Sequence, residues 1–134
     1  MKLPLEITVY GDMEYRGPCP TEASEQIAFF TWLRAQYPKT HGAIAVHIRN
    51  EGARSHAQAR WQAAEGMTKG AADIIIPGRP AFVCEMKRRD SSKSKLDDAQ
   101  IAYLTAAQKA GAFVCVALGF EAARQAVKDW EATQ

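Results

Sequence analysis

Apolar and polar positions along this chain fall into runs with either helical or strand periodicity. From residue 21 to 37 the apolar side chains Ile27, Phe30, Leu33 and Tyr37 recur at helical spacing, with Phe29 and Trp32 widening the stripe. Thr21 is placed to cap that helix, Glu22 and Glu25 stand in its first turns, and Pro38 ends it. Residues 43–48 read as a strand, and Ser55 with Gln58 makes a capping-box pattern for a second helix reaching about Gly66. Two short apolar runs, Ile74-Ile75-Ile76 and Ala81-Phe82-Val83-Cys84, then flank Pro77-Gly78-Arg79-Pro80, which predicts strand, tight turn, strand. A third helix is expected over residues 96–110, stopping at Gly111. The unbroken apolar run 112–118 suits a strand covered on both faces, and a last helix should occupy residues 121–130.

The order αβαββαβα, without internal repeats or low-complexity linkers, predicts a single α/β domain over residues 21–134 with a mixed central sheet flanked by helices. Residues 1–20 form an N-terminal extension. Its β-like run, Ile7-Thr8-Val9-Tyr10, leaves two readings open, an added edge strand or a dimer arm.

Composition narrows this picture only slightly. A chain of 134 residues with 47% hydrophobic and 24% charged residues is sized for one core and is not disordered by default. The net charge of +2 neither demands nor forbids a polyanionic partner. No N-terminal run resembles a signal peptide and no stretch approaches the roughly 20 apolar residues of a membrane span, so a cytoplasmic location is expected. The cysteines Cys19, Cys84 and Cys115 are odd in number and lack CxxC spacing. The latter two read as buried free thiols.

The chemistry concentrates in the hairpin. Asp73 opens its first strand and Glu85-Met86-Lys87 closes its second. Alternation puts Glu85 and Lys87 on one face with Met86 on the other. If Gly78, Arg79 and Pro80 form a three-residue loop, Pro77 faces Ala81 and Asp73 falls opposite Glu85; a slip of one residue would separate them. In that register two carboxylates stand about 5 Å apart. They repel by about 3–4 kcal/mol at an effective dielectric near 20. Such a pair must share a proton, bind a cation or be pulled apart. A hard divalent ion with oxygen ligands, Mg²⁺ above all, resolves the conflict, with the main-chain carbonyl of Met86 as a further ligand. Lys87 would then offset charge developing on a phosphate. The bland alternative is a surface hairpin with solvated Glu85 and Lys87.

These residues resemble the PD-(D/E)XK nuclease superfamily, and within it the virus-type replication-repair nuclease family (VRR-NUC). The resemblance runs from about residue 22 to 130. It is carried by Glu25-Gln26, Asn50-Glu51-Gly52-Ala53-Arg54, the loop from Gly66 to Asp73, Glu85-Met86-Lys87, Gln100 and Gly111. A lone D…ExK arises often by chance; the glycine-bearing loop, the glutamine and the element order make the signal specific. It implies a restriction-endonuclease-like core and Mg²⁺- or Mn²⁺-dependent hydrolysis of DNA, leaving 5′-phosphate and 3′-hydroxyl ends. It also implies metal ligation by Asp73 and Glu85, a catalytic Lys87 and a supporting Gln100. Glu25 matches the family's first-helix acid, with Glu22 as a competing candidate one turn earlier. The proline that usually precedes the aspartate is Ala72 here, which touches the backbone and not the chemistry.

Small stand-alone members of the family resemble homodimeric enzymes that resolve four-way (Holliday) junctions. This chain has no room for additional DNA-binding modules, so branched DNA and a homodimer are the expected partners. A nuclease acting on other DNA, or a catalytically silent DNA-binding domain, remain the alternatives. Arg88, Arg89, Lys93 and Lys95, directly after the catalytic strand, are candidate phosphate contacts, with Lys69 and Arg54 supporting them. His41, His47 and His56 lack metal-motif spacing and read as structural or surface residues. Trp32, Trp61 and Trp130 read as packing or dimer anchors.

Overall fold

In the computed structural model, which describes all residues except 2, 5 and 50–54, five strands form one mixed sheet with helices on both faces. The elements are β1 (Thr8–Tyr10), α1 (Glu22–Gln36), α2 (His41–Ile44), β2 (Val46–His47), α3 (His56–Ala64), β3 (Ile74–Ile76), β4 (Phe82–Lys87), α4 (Asp98–Lys109), β5 (Phe113–Leu118) and α5 (Phe120–Glu131). A short 3₁₀ turn, Ser91–Lys93, lies between β4 and α4. The strand order is β1-β5-β4-β3-β2. β1 and β4 run parallel to β5, whereas β3 pairs antiparallel with both β4 and β2. The element order follows the αβαββαβα expectation, with β1 added at one edge and the short α2 inserted after α1. Among the described residues no helix is long and apolar enough to cross a membrane.

Alternation along β4 divides the core. Phe82, Cys84 and Met86 join Ile74, Ile76 and Cys115 against Phe29, Phe30 and Leu33 of α1 and Ala126, Val127 and Trp130 of α5. Val83 joins Val114, Val116 and Leu118 against Leu104 of α4. Each fully buried Phe or Leu contributes about 1.5–3 kcal/mol relative to exposure. The one polar atom on the Trp130 ring is satisfied, its Nε1 donating to the carbonyl of Pro80 at 2.7 Å. With the α1/α5 face filled by aromatics, the end of β4 is left with two charged side chains, Glu85 and Lys87, turned toward α4.

The hairpin adopts the expected register. Ile74 pairs with Cys84, Ile75 with Val83 and Ile76 with Phe82, so one more step sets Asp73 across from Glu85. Helix caps follow the sequence as well: Thr21 Oγ1 accepts from Ser24 N at 3.2 Å, and Ser55 Oγ accepts from Gln58 N at 3.1 Å.

Three expectations need correction. The strand over 43–48 shrinks to Val46–His47, because residues 41–44 wind into α2, whose Gly42 N–H donates to the carbonyl of Tyr37 at 2.8 Å. Ile27, assigned to the buried stripe of α1, is 68% exposed, since the helix docks through Phe29, Phe30 and Leu33 instead. Trp61 is 70% exposed, because α3 buries none of its residues; this removes the packing reading and leaves that of a dimer anchor.

Candidate active site

A cleft of about 1030 Å³ opens between α3 and the α4 face of the sheet, lined among others by Glu22, His47, Lys69, Asp73, Glu85, Lys87 and Gln100. Each wall has a local cause. Asp73 ends the loop that enters β3, and its Oδ2 accepts from the N–H of Met86 at 2.9 Å, which pins the carboxylate over β4. Glu85 and Lys87 alternate onto the same face and are only 2% and 4% exposed. Gln100 occupies the third position of α4, where it closes a capping box with Asp97. Its Oε1 accepts from Asp97 N at 3.0 Å, and Asp97 Oδ1 accepts from Gln100 N at 2.8 Å.

From that fixed position Gln100 joins the two charged residues. Its Nε2 donates to Glu85 Oε1 at 3.1 Å, and its Oε1 accepts from Lys87 Nζ at 3.4 Å. Lys87 Nζ also donates to the Lys95 carbonyl at 2.6 Å and stands 3.9 Å from Glu85 Oε1. Gly70 makes this packing possible. It has φ +82°, and a Cβ there would collide with the main chain of Ala99 and come within 2.7 Å of Gln100 N. The loop before Asp73 therefore lies directly on the first turn of α4.

The electrostatics of the acid pair are unresolved within the protein. Glu85 Oε2 is buried and has no hydrogen-bond partner among the described residues. Burial, followed by the neighbouring Asp73 charge, pushes the Glu85 carboxyl up to about 9, against the opposing pull of Lys87. Burial also raises Asp73, partly offset by its hydrogen bonds to Glu85 and Met86 and by the charge of Lys87. Both carboxyls are thus held above their ordinary values, a conflict that a bound cation would relieve. Among the described residues no group of three or more His, Cys, Asp or Glu side chains is arranged to hold a metal ion. Two carboxylates and an open cleft nevertheless suit Mg²⁺ or Mn²⁺, whose remaining positions are commonly filled by water and phosphate.

The first-helix acid at the cleft is Glu22, not Glu25. Glu22 lines the wall, its Oε1 accepts from Ser94 Oγ at 2.9 Å, and its charge is one of those raising Asp73 and Glu85. Glu25 instead caps α5, its Oε2 accepting from Phe120 N at 2.8 Å. Gly119, the residue at the α5 N-cap, cannot supply a capping side chain, and a Cβ there would strike that carboxylate. The positive end of α5 therefore draws Glu25 out of the candidate ligand set.

The basic loop is also reassigned. Arg88 donates from Nε to the Pro20 carbonyl at 3.0 Å and from Nη2 to the Cys19 carbonyl at 2.8 Å. Lys93 Nζ donates to the Gly17 carbonyl at 3.0 Å, and Arg89 stacks over the Tyr15 ring at 4.0 Å. These three cations hold residues 15–20 as a strap instead of pointing at a common surface. Lys95 keeps an exposed side chain, Lys69 lines the cleft, and Arg54 lies outside the described residues, as does the Asn50–Arg54 motif. His47 and His56, which the sequence left as structural or surface residues, both line the cleft. Only the fold reveals this, since neither spacing nor composition marks them.

No family model matches the chain, and no curated protein matches it. A solved structure described as "VRR_NUC domain protein" superposes with a TM-score of 0.65 at 20% identity, covering 86% of this chain and 89% of that one. At that identity the likeness lies in the fold, and the α/β architecture expected from the sequence, a mixed central sheet flanked by helices, is the one observed.

Proposed function

We propose that the chain is a VRR-NUC-type nuclease, a Mg²⁺- or Mn²⁺-dependent endonuclease that hydrolyses DNA phosphodiesters. The observation that carries this reading is the buried, unpartnered Glu85 Oε2, held beside Asp73 at the rim of an open cleft. A buried carboxylate oxygen without a donor is costly unless something outside the chain satisfies it. Asp73 and Glu85 would hold the cation, with Glu22 facing them and the Met86 carbonyl as the further ligand expected from the sequence. When bound, such an ion polarises a phosphoryl oxygen and acidifies water.

The chain's own groups supply the rest. Lys87 commits two of its three ammonium protons, to the Lys95 carbonyl and to Gln100, leaving one for a phosphate oxygen that gains charge during attack. Gln100 sets the distance between the ammonium and Glu85 from a rigid helix terminus. Of the candidate cations among the described residues, Lys69 and Lys95 are the two that would contact the DNA backbone. Branched DNA as substrate and a homodimer as the working form rest on the family resemblance alone, through two symmetric sites on a two-fold junction.

The test is cleavage of labelled four-way junction, flap, single-stranded and linear duplex DNA, with and without Mg²⁺ or Mn²⁺. Metal-dependent cutting that prefers the junction is expected. Indifferent degradation would remove the junction assignment, and binding without cleavage in either metal would sink the nuclease reading. Lys87→Ala should slow cutting about 100- to 10,000-fold while leaving DNA binding largely intact.

A further inference from the structure

His47 makes two contacts that the candidate chemistry does not use. Its Nδ1 lies 2.9 Å from the main-chain oxygen of Asp73 and 2.8 Å from Nε2 of Gln26. A carbonyl oxygen only accepts, so Nδ1 carries the proton and the Gln26 amide presents its oxygen to it by a half-turn. The same carbonyl accepts from Ile48 N at 2.8 Å, so both of its lone pairs are occupied. Gln26 belongs to α1, four residues after Glu22 and hence on the same helix face one turn further in. The edge strand β2 that carries His47 is only two residues long, and both are exposed. Apolar packing of Phe29 and Phe30 on Ile74 holds α1 to β3, and the His47 contacts add the polar link on the side nearest the cleft.

We propose that Gln26 and His47 are positioning residues that clamp α1 to the main chain of Asp73 and so set the separation of Glu22 from the Asp73–Glu85 pair. This rests on the nuclease reading above. The clamp acts through the backbone of one acid and the helix bearing another, while His47 Nε2 makes no hydrogen bond to the described residues.

The experiment measures Mn²⁺ binding to the DNA-free full-length chain by electron paramagnetic resonance, alongside cleavage kinetics and melting temperature. His47→Ala and Gln26→Leu should each weaken Mn²⁺ binding about 10- to 100-fold, raising the Mn²⁺ needed for cutting while KM for DNA stays near the wild-type value. His47→Asn places an N–H donor where Nδ1 stands and should restore Mn²⁺ binding; His47→Gln places its amide at the Nε2 position and should not. If His47→Ala fails to fold, Gln26→Leu and the Asn–Gln pair decide the matter. Wild-type Mn²⁺ affinity in Gln26→Leu and in a folded His47→Ala would overturn the clamp, as would rescue by Gln but not Asn, which would put His47 on the substrate. A wild-type chain that neither binds Mn²⁺ nor cuts DNA would overturn the nuclease reading itself, a result distinct from normal wild-type activity with unaffected clamp variants.

Discussion

Glu85 and Asp90 are carboxylates five residues apart, each only 2% exposed, yet their environments are opposite. Asp90 accepts from Gly17 N at 3.0 Å and from Ser92 N and Oγ at 3.0 and 2.6 Å, with Arg16 at 3.8 Å. Those donors, Ser92 Oγ foremost, hold its carboxyl down at about 2. Glu85 has one donor on Oε1, none on Oε2, and an acid for a neighbour, and its carboxyl is pushed up to about 9. Burial alone therefore does not mark a site. A buried acid surrounded by donors is satisfied by the protein itself, whereas one left short of donors beside a second acid is the one that a cation would satisfy under the proposed function.

Substitution should separate the two regions most sharply. Glu85→Gln should abolish metal-dependent cleavage yet leave the melting temperature of the metal-free protein unchanged or raised, because a poorly solvated acid is removed. Asp90→Asn should do the reverse, lowering the melting temperature while leaving measurable cleavage. Calorimetry and a cleavage assay on both variants check the pair. If Glu85→Gln proves the more damaging to stability, the contrast fails.

Gly70→Ala comes next in size. The positive φ and the collision with the Ala99 main chain should cost about 1–3 kcal/mol in denaturant unfolding. They should also reduce cleavage by displacing Gln100 from Glu85 and Lys87. A variant that keeps wild-type stability and activity would show that the loop does not set Gln100.

Acid titration gives a smaller and signed effect. The folded-state carboxyl of Asp90 lies below its ordinary value near 4, so its contribution is present above about pH 4 and is lost as pH falls toward 2. The strap should become protease-sensitive over that window. Asp90→Asn should flatten this pH dependence, read by limited proteolysis across residues 12–20.

Arg88→Ala should have the mildest consequence. It frees the Cys19 and Pro20 carbonyls to water and loosens the strap, with only a modest loss of cleavage. A large and strongly salt-dependent loss of DNA binding would instead return Arg88 to the phosphate-contacting group.

Much of the centre was legible in the chain. The three-residue turn and the period-2 alternation suffice to set Asp73 against Glu85 and Lys87 beside it, because a hairpin's register is local. Gln100 was singled out only through the family resemblance, and the structure adds the capping box with Asp97 that fixes it. The first-helix acid was not. Glu22 and Glu25 lie about 60° apart around α1 at 3.6 residues per turn, so helical periodicity favours neither. The choice falls to α5, whose glycine-capped N-terminus takes Glu25.

The basic loop teaches the same lesson in reverse. Four cations in eight residues suggest an anion, but carbonyls from the strap reach three of them first, counting the Tyr15 ring for Arg89. By itself the sequence determined the order of elements, the hairpin register and the identity of the paired acids and lysine, all products of short-range geometry. Tertiary structure alone decided which acid of α1 faces the cleft, which cations are already engaged, and that His47 reaches the backbone of Asp73. Those contacts join segments remote in the chain, and no local pattern encodes which distant group arrives first.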